Sequence, residues 1–228
     1  DAFVRQYPAA LPNDALRQLI ALGQHKFAAV ETQPGVFAFW WPRFERIAKW
    51  FVETEGTRRS NTRPAATEVE GRLVLSRPGG DFLLTAKADR IDRLDTGGLI
   101  ILDYKTGSVP NNKEVARGQA PQLPLEIAIA EAGEFKGLPA EAVHELEYWR
   151  LTGGDPAGEI RKVKGSVEQL GAEAVAGLST LIDLFDNEDT PYLPVPRPDW
   201  EKPWNDYTHL ARVKEWITST DSGGGDDS

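Results

Sequence analysis

The sequence predicts a mixed α/β layered domain, in which helices pack against a central sheet. Apolar residues recur at helical spacing over about the first third of the chain. The pattern then changes to the alternation and the short apolar runs that are typical of strands. A crossover helix and a further strand follow the first strands, and this order favours helices layered on a mixed sheet.

Two helices are predicted first. Asn13 or Asp14 can cap a segment with apolar residues at helical spacing, and Pro34-Gly35 is expected to break it. A second amphipathic helix is expected over residues 37–55, with tryptophans and interleaved basic residues. These favour an aromatic face packed on a core, and a basic strip facing a polyanion is the alternative.

The strands follow a polar, basic stretch at residues 57–66 that predicts a loop. Residues 68–75 and 82–91 are predicted strands, and the turn between them makes the pair a hairpin. Residues 99–102 are a continuous apolar run, which suits a central strand buried on both faces.

The second half of the chain continues the α/β order. A helix is expected over residues 112–132 despite two prolines, then strands at 145–151 and 159–163 and a helix at 169–185. Proline and tryptophan then dominate, which predicts an irregular arm. The predicted division is an N-terminal helical part (1–66), an α/β core (67–190), a C-terminal arm and helix (191–220) and a disordered tail (221–228).

The composition excludes several kinds of site. The absence of cysteine excludes disulfides, zinc-thiolate sites, iron–sulfur clusters and a cysteine nucleophile. Three dispersed histidines make a histidine-rich metal site unexpected. The net charge of -9 argues against a surface that binds nucleic acid everywhere, although a local basic groove is compatible with it.

The sequence shows neither a membrane-length apolar run nor a signal segment, so we expect a cytoplasmic protein without a membrane partner. The chain begins at Asp1 and contains no methionine, which predicts a fragment or domain of a longer protein.

Charged residues at one end of the predicted central strand carry the chemistry. Asp103 and Lys105 are two residues apart on a strand and therefore project from the same face. Charge in such a place is costly unless it is paired or used on a ligand. Asp89 ends the neighbouring strand, and a tight turn would bring the two aspartates together.

Two adjacent carboxylates repel each other unless a cation lies between them, and oxygen ligands suit Mg²⁺ or Mn²⁺. A lysine beside such a metal can orient a water molecule or stabilise developing negative charge. This set is sufficient for metal-assisted phosphodiester hydrolysis. On spacing alone, a simple Asp–Lys salt bridge at the strand end is an equally good interpretation.

The residues around these positions resemble the PD-(D/E)XK nuclease superfamily, whose restriction-endonuclease-like core is a mixed sheet flanked by helices. Residues 88–92 (ADRID) and 103–107 (DYKTG) are similar to the motifs of its RecB-like branch. Gln122 opens a segment similar to the helix motif that follows. Residues 41–44 and 209–216 resemble the C-terminal nuclease region of the bacterial AddB family, which acts in double-strand break repair.

The resemblance implies roles for five residues. Asp89 and Asp103 would bind the divalent metal, Mg²⁺ or Mn²⁺, with the carbonyl of Tyr104 as a further ligand. Lys105 would be the catalytic lysine, and Gln122 would lie at the rim of the active site. The implied activity is a magnesium-dependent deoxyribonuclease, an exonuclease by expectation, with DNA as substrate and an AddA-like helicase-nuclease subunit as partner.

The chain departs from the pattern of the RecB-like branch at two places. Glu126 stands where the helix motif has a tyrosine, which argues against a DNA-contacting role there and leaves an extra carboxylate near the metal as the alternative. No residue matches the histidine or acidic ligand of an upstream helix, since His25 has unrelated neighbours and is expected to be an exposed helix residue. We therefore expect that helix to precede Asp1, and the chain to be weak without it.

Arg90 is expected to pair with Asp92, or else to meet a phosphate. Candidates for a DNA path are the basic residues Arg58, Arg59, Arg63, Lys113, Arg117, Arg161, Lys162 and Lys164. Two other functions are compatible with the same residues. One is an inactive nuclease-fold module for DNA binding or assembly, and the other is a hydrolase of a small substrate, which predicts no DNA cleavage.

Overall fold

The computed structural model describes residues 1–28 and 34–192, which begin with helices and continue with strands. The described helices are α1 (Ala2–Gln6), α2 (Ala15–Phe27), α3 (Pro34–Arg58), α4 (Asn112–Ala116), α5 (Gln122–Glu131) and α6 (Val167–Phe185). The described strands are β1 (Thr62–Arg77), β2 (Gly80–Leu94), β3 (Leu99–Lys105), β4 (Val143–Leu151) and β5 (Gly158–Lys162).

These strands form one sheet in the order β1-β2-β3-β4-β5. All neighbouring pairs are antiparallel except β3 and β4, which are parallel. A parallel pair needs a crossover connection, and here it contains α4 and α5. The prediction of a mixed α/β sheet with a central apolar strand is confirmed.

Helices cover both faces of β3 because successive residues of a strand point to opposite faces. Leu99 and Ile101 pack in one apolar cluster with residues of α5. Ile100 and Leu102 pack in a second cluster with residues of α1, α2 and α3. The polar residues at the end of β3 continue the same alternation.

A glycine allows the C-terminal part of α5 and the segment after it to approach the sheet closely. A Cβ on Gly71 of β1 would lie 2.5 Å from Cγ2 of Ile129 and 2.6 Å from Cδ1 of Phe135. Both distances are shorter than any ordinary carbon contact, so only glycine fits here without a shift. This contact fixes the distance between α5 and the β1–β2 hairpin.

The aromatic residues of α3 divide between the core and the surface. Trp50 packs edge-on against Trp149 of β4, at 5.6 Å between ring centroids. By contrast, Phe39 and Trp40 are 54% and 47% exposed, and the guanidinium of Arg43 lies 4.2 Å from the centroid of Phe39. Phe37, Trp41 and Phe44 of the first half pack against Phe27 of α2. The core-packing interpretation therefore describes most aromatic residues of α3, and Phe39 and Trp40 with Arg43 form an exposed aromatic and cationic surface.

The prediction of a loop over residues 57–66 was wrong. Helix α3 runs to Arg58, and β1 begins at Thr62, which pairs with Leu94 at the far end of β2. Pairing along the whole hairpin draws polar residues into the strand, although their composition favours a loop.

Two predicted helix boundaries also differ from the structure. Pro34 begins α3 instead of breaking the previous helix, a position where its missing N–H costs nothing. The single helix expected over residues 112–132 is two helices. Gly118 follows α4 with a φ of +71°, and Pro121 caps α5, with Pro124 in its first turn.

The sheet lies in the first of two compact units, Asp1–Ile182, and the second unit begins at Asp183. Apart from residues 191 and 192, the predicted arm, C-terminal helix and tail lie outside the described residues, as does the segment 209–216. Within the described residues, no helix combines the length and the apolar character needed to cross a membrane.

Candidate active site

The candidate site begins with an ion pair at the carboxyl end of β3. The side chain of Asp103 is 4% exposed and that of Lys105 is 32% exposed. The ammonium of Lys105 donates a hydrogen bond to Oδ1 of Asp103 at 3.0 Å and lies 2.8 Å from Oδ2. The two residues share a face, as predicted, and the salt bridge considered as an alternative is present. Within the described residues, the contact of this ammonium with Oδ2 is an ion pair without hydrogen-bond geometry.

Asp89 is held beside this pair by the backbone of β3. Strands β2 and β3 pair with Arg90 opposite Leu102, so Asp89 and Asp103 follow at the same edge of the pair. The main-chain N–H of Tyr104 donates a hydrogen bond to Oδ2 of Asp89 at 2.8 Å. The structure therefore brings the two aspartates to adjacent positions on neighbouring strands.

The electrostatic state of Asp103 reflects its burial. Loss of solvent raises the pKa of Asp103 above its ordinary value, and the charge of Asp89 adds to this rise. The ammonium of Lys105 and the amide of Gln122 oppose it. A buried carboxylate with a second carboxylate nearby gains stability from any further cation that reaches it.

Helix α5 brings Gln122 and Glu126 to the same face of the sheet. Gln122 is exposed at the first turn of α5, and its amide donates a long hydrogen bond of 3.3 Å to Oε1 of Glu126. Glu126 is 1% exposed. Burial raises its pKa to about 7, and the charges of Asp103 and Asp89 contribute to the rise.

Glu126, which stands at the position of the motif's tyrosine, is buried, and the sequence analysis did not predict this burial. Its helix is apolar at most other positions, and Leu123 and Ile127, one turn before and one residue after it, are both fully buried. A glutamate at such helical spacing falls on the core side of its helix, and this periodicity is the signal that would have found it.

The donors at the end of β3 are suited to a divalent cation. The carboxylates of Asp89 and Asp103 and the carbonyl of Tyr104 are all oxygen ligands, which Mg²⁺ and Mn²⁺ prefer. Oδ2 of Asp103 is buried and contacts the ammonium of Lys105 as an ion pair without hydrogen-bond geometry, so a cation would bind it beside that ammonium. In the part of the chain that the structure describes, no group of three or more histidine, aspartate or glutamate side chains is placed to hold a metal. The residues that could hold a cation here are Asp89 and Asp103, with the carbonyl of Tyr104 as the predicted further ligand.

The opposite face of the same strands carries a buried network of charges. Arg90 is fully buried and contacts Asp92 at 2.6 Å and Glu55 of α3 at 2.6 Å. Arg58 of α3 contacts the same Asp92 at 2.8 Å and Glu147 of β4 at 2.9 Å. The expected pairing of Arg90 with Asp92 is confirmed, and complete burial of Arg90 excludes a contact with phosphate.

This network fixes β2 and β3 against α3. Burial raises the pKa of Tyr104 to about 12 although Arg90 opposes the rise, and the hydroxyl accepts a long hydrogen bond of 3.4 Å from Arg90. Tyr104 lies between Asp103 and Lys105 in β3. The network therefore supports this strand from the face of the sheet opposite the candidate site. The alternation Asp89-Arg90-Ile91-Asp92 places one aspartate on each face.

Several residues expected along a DNA path are engaged inside the protein. Arg58 and Arg59 have side chains that are 10% and 6% exposed and that pair with buried carboxylates. They were wrong as surface contacts because α3, whose end was predicted too early, carries Arg58 into the core, and Arg59 follows directly after it. Ion pairs also engage Arg63, Arg161 and Lys162, which remain on the surface. The three other candidates, Lys113, Arg117 and Lys164, are exposed as well. His25 is exposed on α2, as expected.

Comparison with known proteins places this geometry in context. The model of the PD-(D/E)XK nuclease superfamily matches residues 2–198. An uncharacterized protein of Rickettsia conorii is 32% identical over 223 residues, which cover 87% of this chain and 26% of that protein. An uncharacterized protein of Rickettsia bellii is 28% identical over 186 residues, with 75% and 22% covered. The chain spans about a quarter of the length of these relatives.

The crystal structure of SSO0001 shows a TM-score of 0.32 and 12% identity, covering 77% of this chain and 82% of that one. This likeness is too low to support a functional argument. The family model, by contrast, covers most of the chain and includes every residue of the candidate site. The chain belongs to the PD-(D/E)XK nuclease superfamily.

Proposed function

We propose that the chain is a divalent-metal-dependent deoxyribonuclease domain that hydrolyses phosphodiester bonds. One observation carries this proposal: Asp89, Asp103 and Lys105 meet at the carboxyl end of the central strand in a chain of a nuclease superfamily. Their charges favour a bound cation over a closed ion pair, because buried Asp103 lies beside a second carboxylate, Asp89, whereas Lys105 supplies one positive charge.

Each residue has a part in the proposed reaction. Asp89 and Asp103, with the carbonyl of Tyr104, would hold Mg²⁺ or Mn²⁺. The bound cation supplies Lewis acidity and lowers the pKa of a water ligand. Lys105 faces the same edge, where its ammonium stabilises negative charge that develops on the phosphoryl oxygens or orients the attacking water. Gln122 lies at the exposed rim, within reach of a DNA backbone.

We also propose a more specific role, which concerns the larger protein to which this domain belongs. We place the domain in a cytoplasmic helicase-nuclease of the AddAB/RecBCD-like kind, where it acts as an exonuclease in double-strand break repair and recombination beside an AddA-like subunit. The motifs at residues 88–92 and 103–107 support it, and so does the greater length of the relatives, about four times that of the matching segment. A partner that delivers DNA would also compensate for the net charge of -9.

The test is degradation of end-labelled single- and double-stranded DNA in Mg²⁺ or Mn²⁺. The variants are Asp103→Asn and Lys105→Met, which keep side-chain volume, and Lys136→Met is the control, since Lys136 is exposed on the segment after α5. We expect metal-dependent cleavage by the native chain and the control, and its loss in both site variants. The order in which short products appear from each label distinguishes exonuclease from endonuclease activity.

The rival is a module that binds DNA without cleaving it. One observation favours it: no described group of three acidic or histidine side chains is placed to hold a metal. Salt-dependent DNA binding by a folded chain that cleaves nothing in either metal contradicts the nuclease proposal and supports the rival.

A further inference from the structure

Glu126 occupies a position where a carboxylate is costly. It is 1% exposed in a helix whose other buried residues, Leu123, Pro124, Ile127, Ile129 and Ala130, are apolar. Its Oε2 accepts no hydrogen bond from any described residue, and its Oε1 accepts only the long bond from Gln122. Burying a carboxylate with so few partners is unfavourable. An apolar residue would serve the packing of α5 better.

The charges around Glu126 add to this cost. The charged residues that act on it most strongly are Asp103 and Asp89, which are negative, and Lys105, which is positive. With all four ionised, three carboxylates and one ammonium leave a net charge of -2 in this cluster, the charge that one divalent cation neutralises. The nearby hydroxyl of Tyr148 supplies no positive charge, and the carboxylates around it make its ionisation still less favourable.

The three carboxylates do not converge closely enough among the described residues to form one inner ligand set. Glu126 is one helical turn from Gln122, whose amide acts on both Glu126 and Asp103. A carboxylate in such a position acts on a metal through an intervening group, as hydrogen-bonded partners of ligands commonly do.

We infer that Glu126 is the third carboxylate of the site, a positioning residue that strengthens divalent-cation binding at Asp89 and Asp103 through an intervening water molecule or through Gln122. This inference rests on the proposed function, because the cation is the one that the nuclease requires. By this inference, α5 contributes part of the negative charge that binds the cation.

The test is direct measurement of Mn²⁺ binding by calorimetry on the 228-residue chain, without DNA. Glu126→Gln keeps the volume and removes the charge, and Asp103→Asn removes an inner ligand. Glu131→Gln is the matched control, because Glu131 is exposed at the end of the same helix. We expect the affinity to fall about 10- to 100-fold in Glu126→Gln, as for other partners of metal ligands. We expect no measurable binding in Asp103→Asn and no change in the control.

A second readout separates positioning from packing. A purely structural role of Glu126 would lower the melting temperature of Glu126→Gln in the absence of metal, whereas the inferred role weakens Mn²⁺ binding without this loss. Glu126→Asp keeps the charge and should retain part of the affinity, which provides an independent variant if the glutamine variant folds poorly.

The outcomes for this inference and for the proposed function are distinct. Unchanged Mn²⁺ affinity in Glu126→Gln, with loss in Asp103→Asn, overturns the role of Glu126 and leaves the nuclease proposal intact. Absence of binding by the folded native chain overturns both.

Discussion

Replacing Glu126 by glutamine should stabilise the metal-free protein above neutral pH. The carboxyl of Glu126 has a native pKa of about 7 against an ordinary value of 4.5, chiefly because burial disfavours its charged form. Glutamine has the same size and no charge, so it avoids this penalty while keeping an oxygen that can accept the bond from Gln122.

The size and sign of the effect follow from proton linkage. Between pH 4.5 and about 7 the native state keeps a proton that the unfolded state has lost, so the free energy of unfolding falls as pH rises. A shift of about 2.5 units at 1.36 kcal/mol per unit corresponds to about 3 kcal/mol above pH 7. The side chain is 1% exposed, so solvent screening reduces this little. Below pH 4.5 the difference between the two proteins should vanish.

The assay is urea unfolding followed by tryptophan fluorescence at a series of pH values, with a chelator present throughout. The free energy of unfolding of Glu126→Gln minus that of the native chain should rise from near zero at acidic pH to about 3 kcal/mol above neutrality. Glu131→Gln, on an exposed residue of the same helix, should show no such rise. A constant difference across pH, or a glutamine variant that is less stable in alkali, would refute the assignment of Glu126 as a buried carboxylate with too few partners.

Three other predictions concern the network, the packing of α5 and the cation. Glu55→Gln should lower the free energy of unfolding by about 3 to 5 kcal/mol in urea titrations, because Arg90 loses a fully buried partner; an unchanged value would show that Arg90 does not need it. Gly71→Ala should cost about 1 to 3 kcal/mol in the same titration, since its methyl would overlap Ile129 and Phe135, and a neutral result would mean that α5 moves freely away from β1. Mn²⁺ affinity measured by calorimetry should increase as pH rises towards 8, because burial raises the pKa of Asp103 and of Glu126 and the cation must displace their protons; a flat profile would contradict both shifts.

The sequence predicted the part of the fold that depends on local pattern. The continuous apolar run at residues 99–102 identified the central strand, and the spacing of Asp103 and Lys105 placed them on one face. Both inferences depend only on the alternation of a strand. The assignment of these residues as metal ligands and catalytic lysine stays a prediction.

What the sequence did not reveal depends on contacts between distant segments. Arg58 and Arg59 look like surface residues in a polar stretch, yet β4 and β2 supply Glu147 and Asp92 as buried partners for Arg58. The start of β1 at Thr62 likewise depends on its pairing with Leu94. Such partners lie 32 to 89 residues apart along the chain, beyond the reach of local periodicity.

The charge network behind β3 determines how small a working piece of this protein can be. The hairpin and β3 contain Asp89, Asp103 and Lys105, but Arg90 on their rear face needs Glu55, which α3 provides. In a peptide of β2 and β3 alone, that guanidinium would be exposed to solvent or would keep Asp92 as its partner without Glu55. The shortest fragment able to present the three residues together must therefore reach back to include α3.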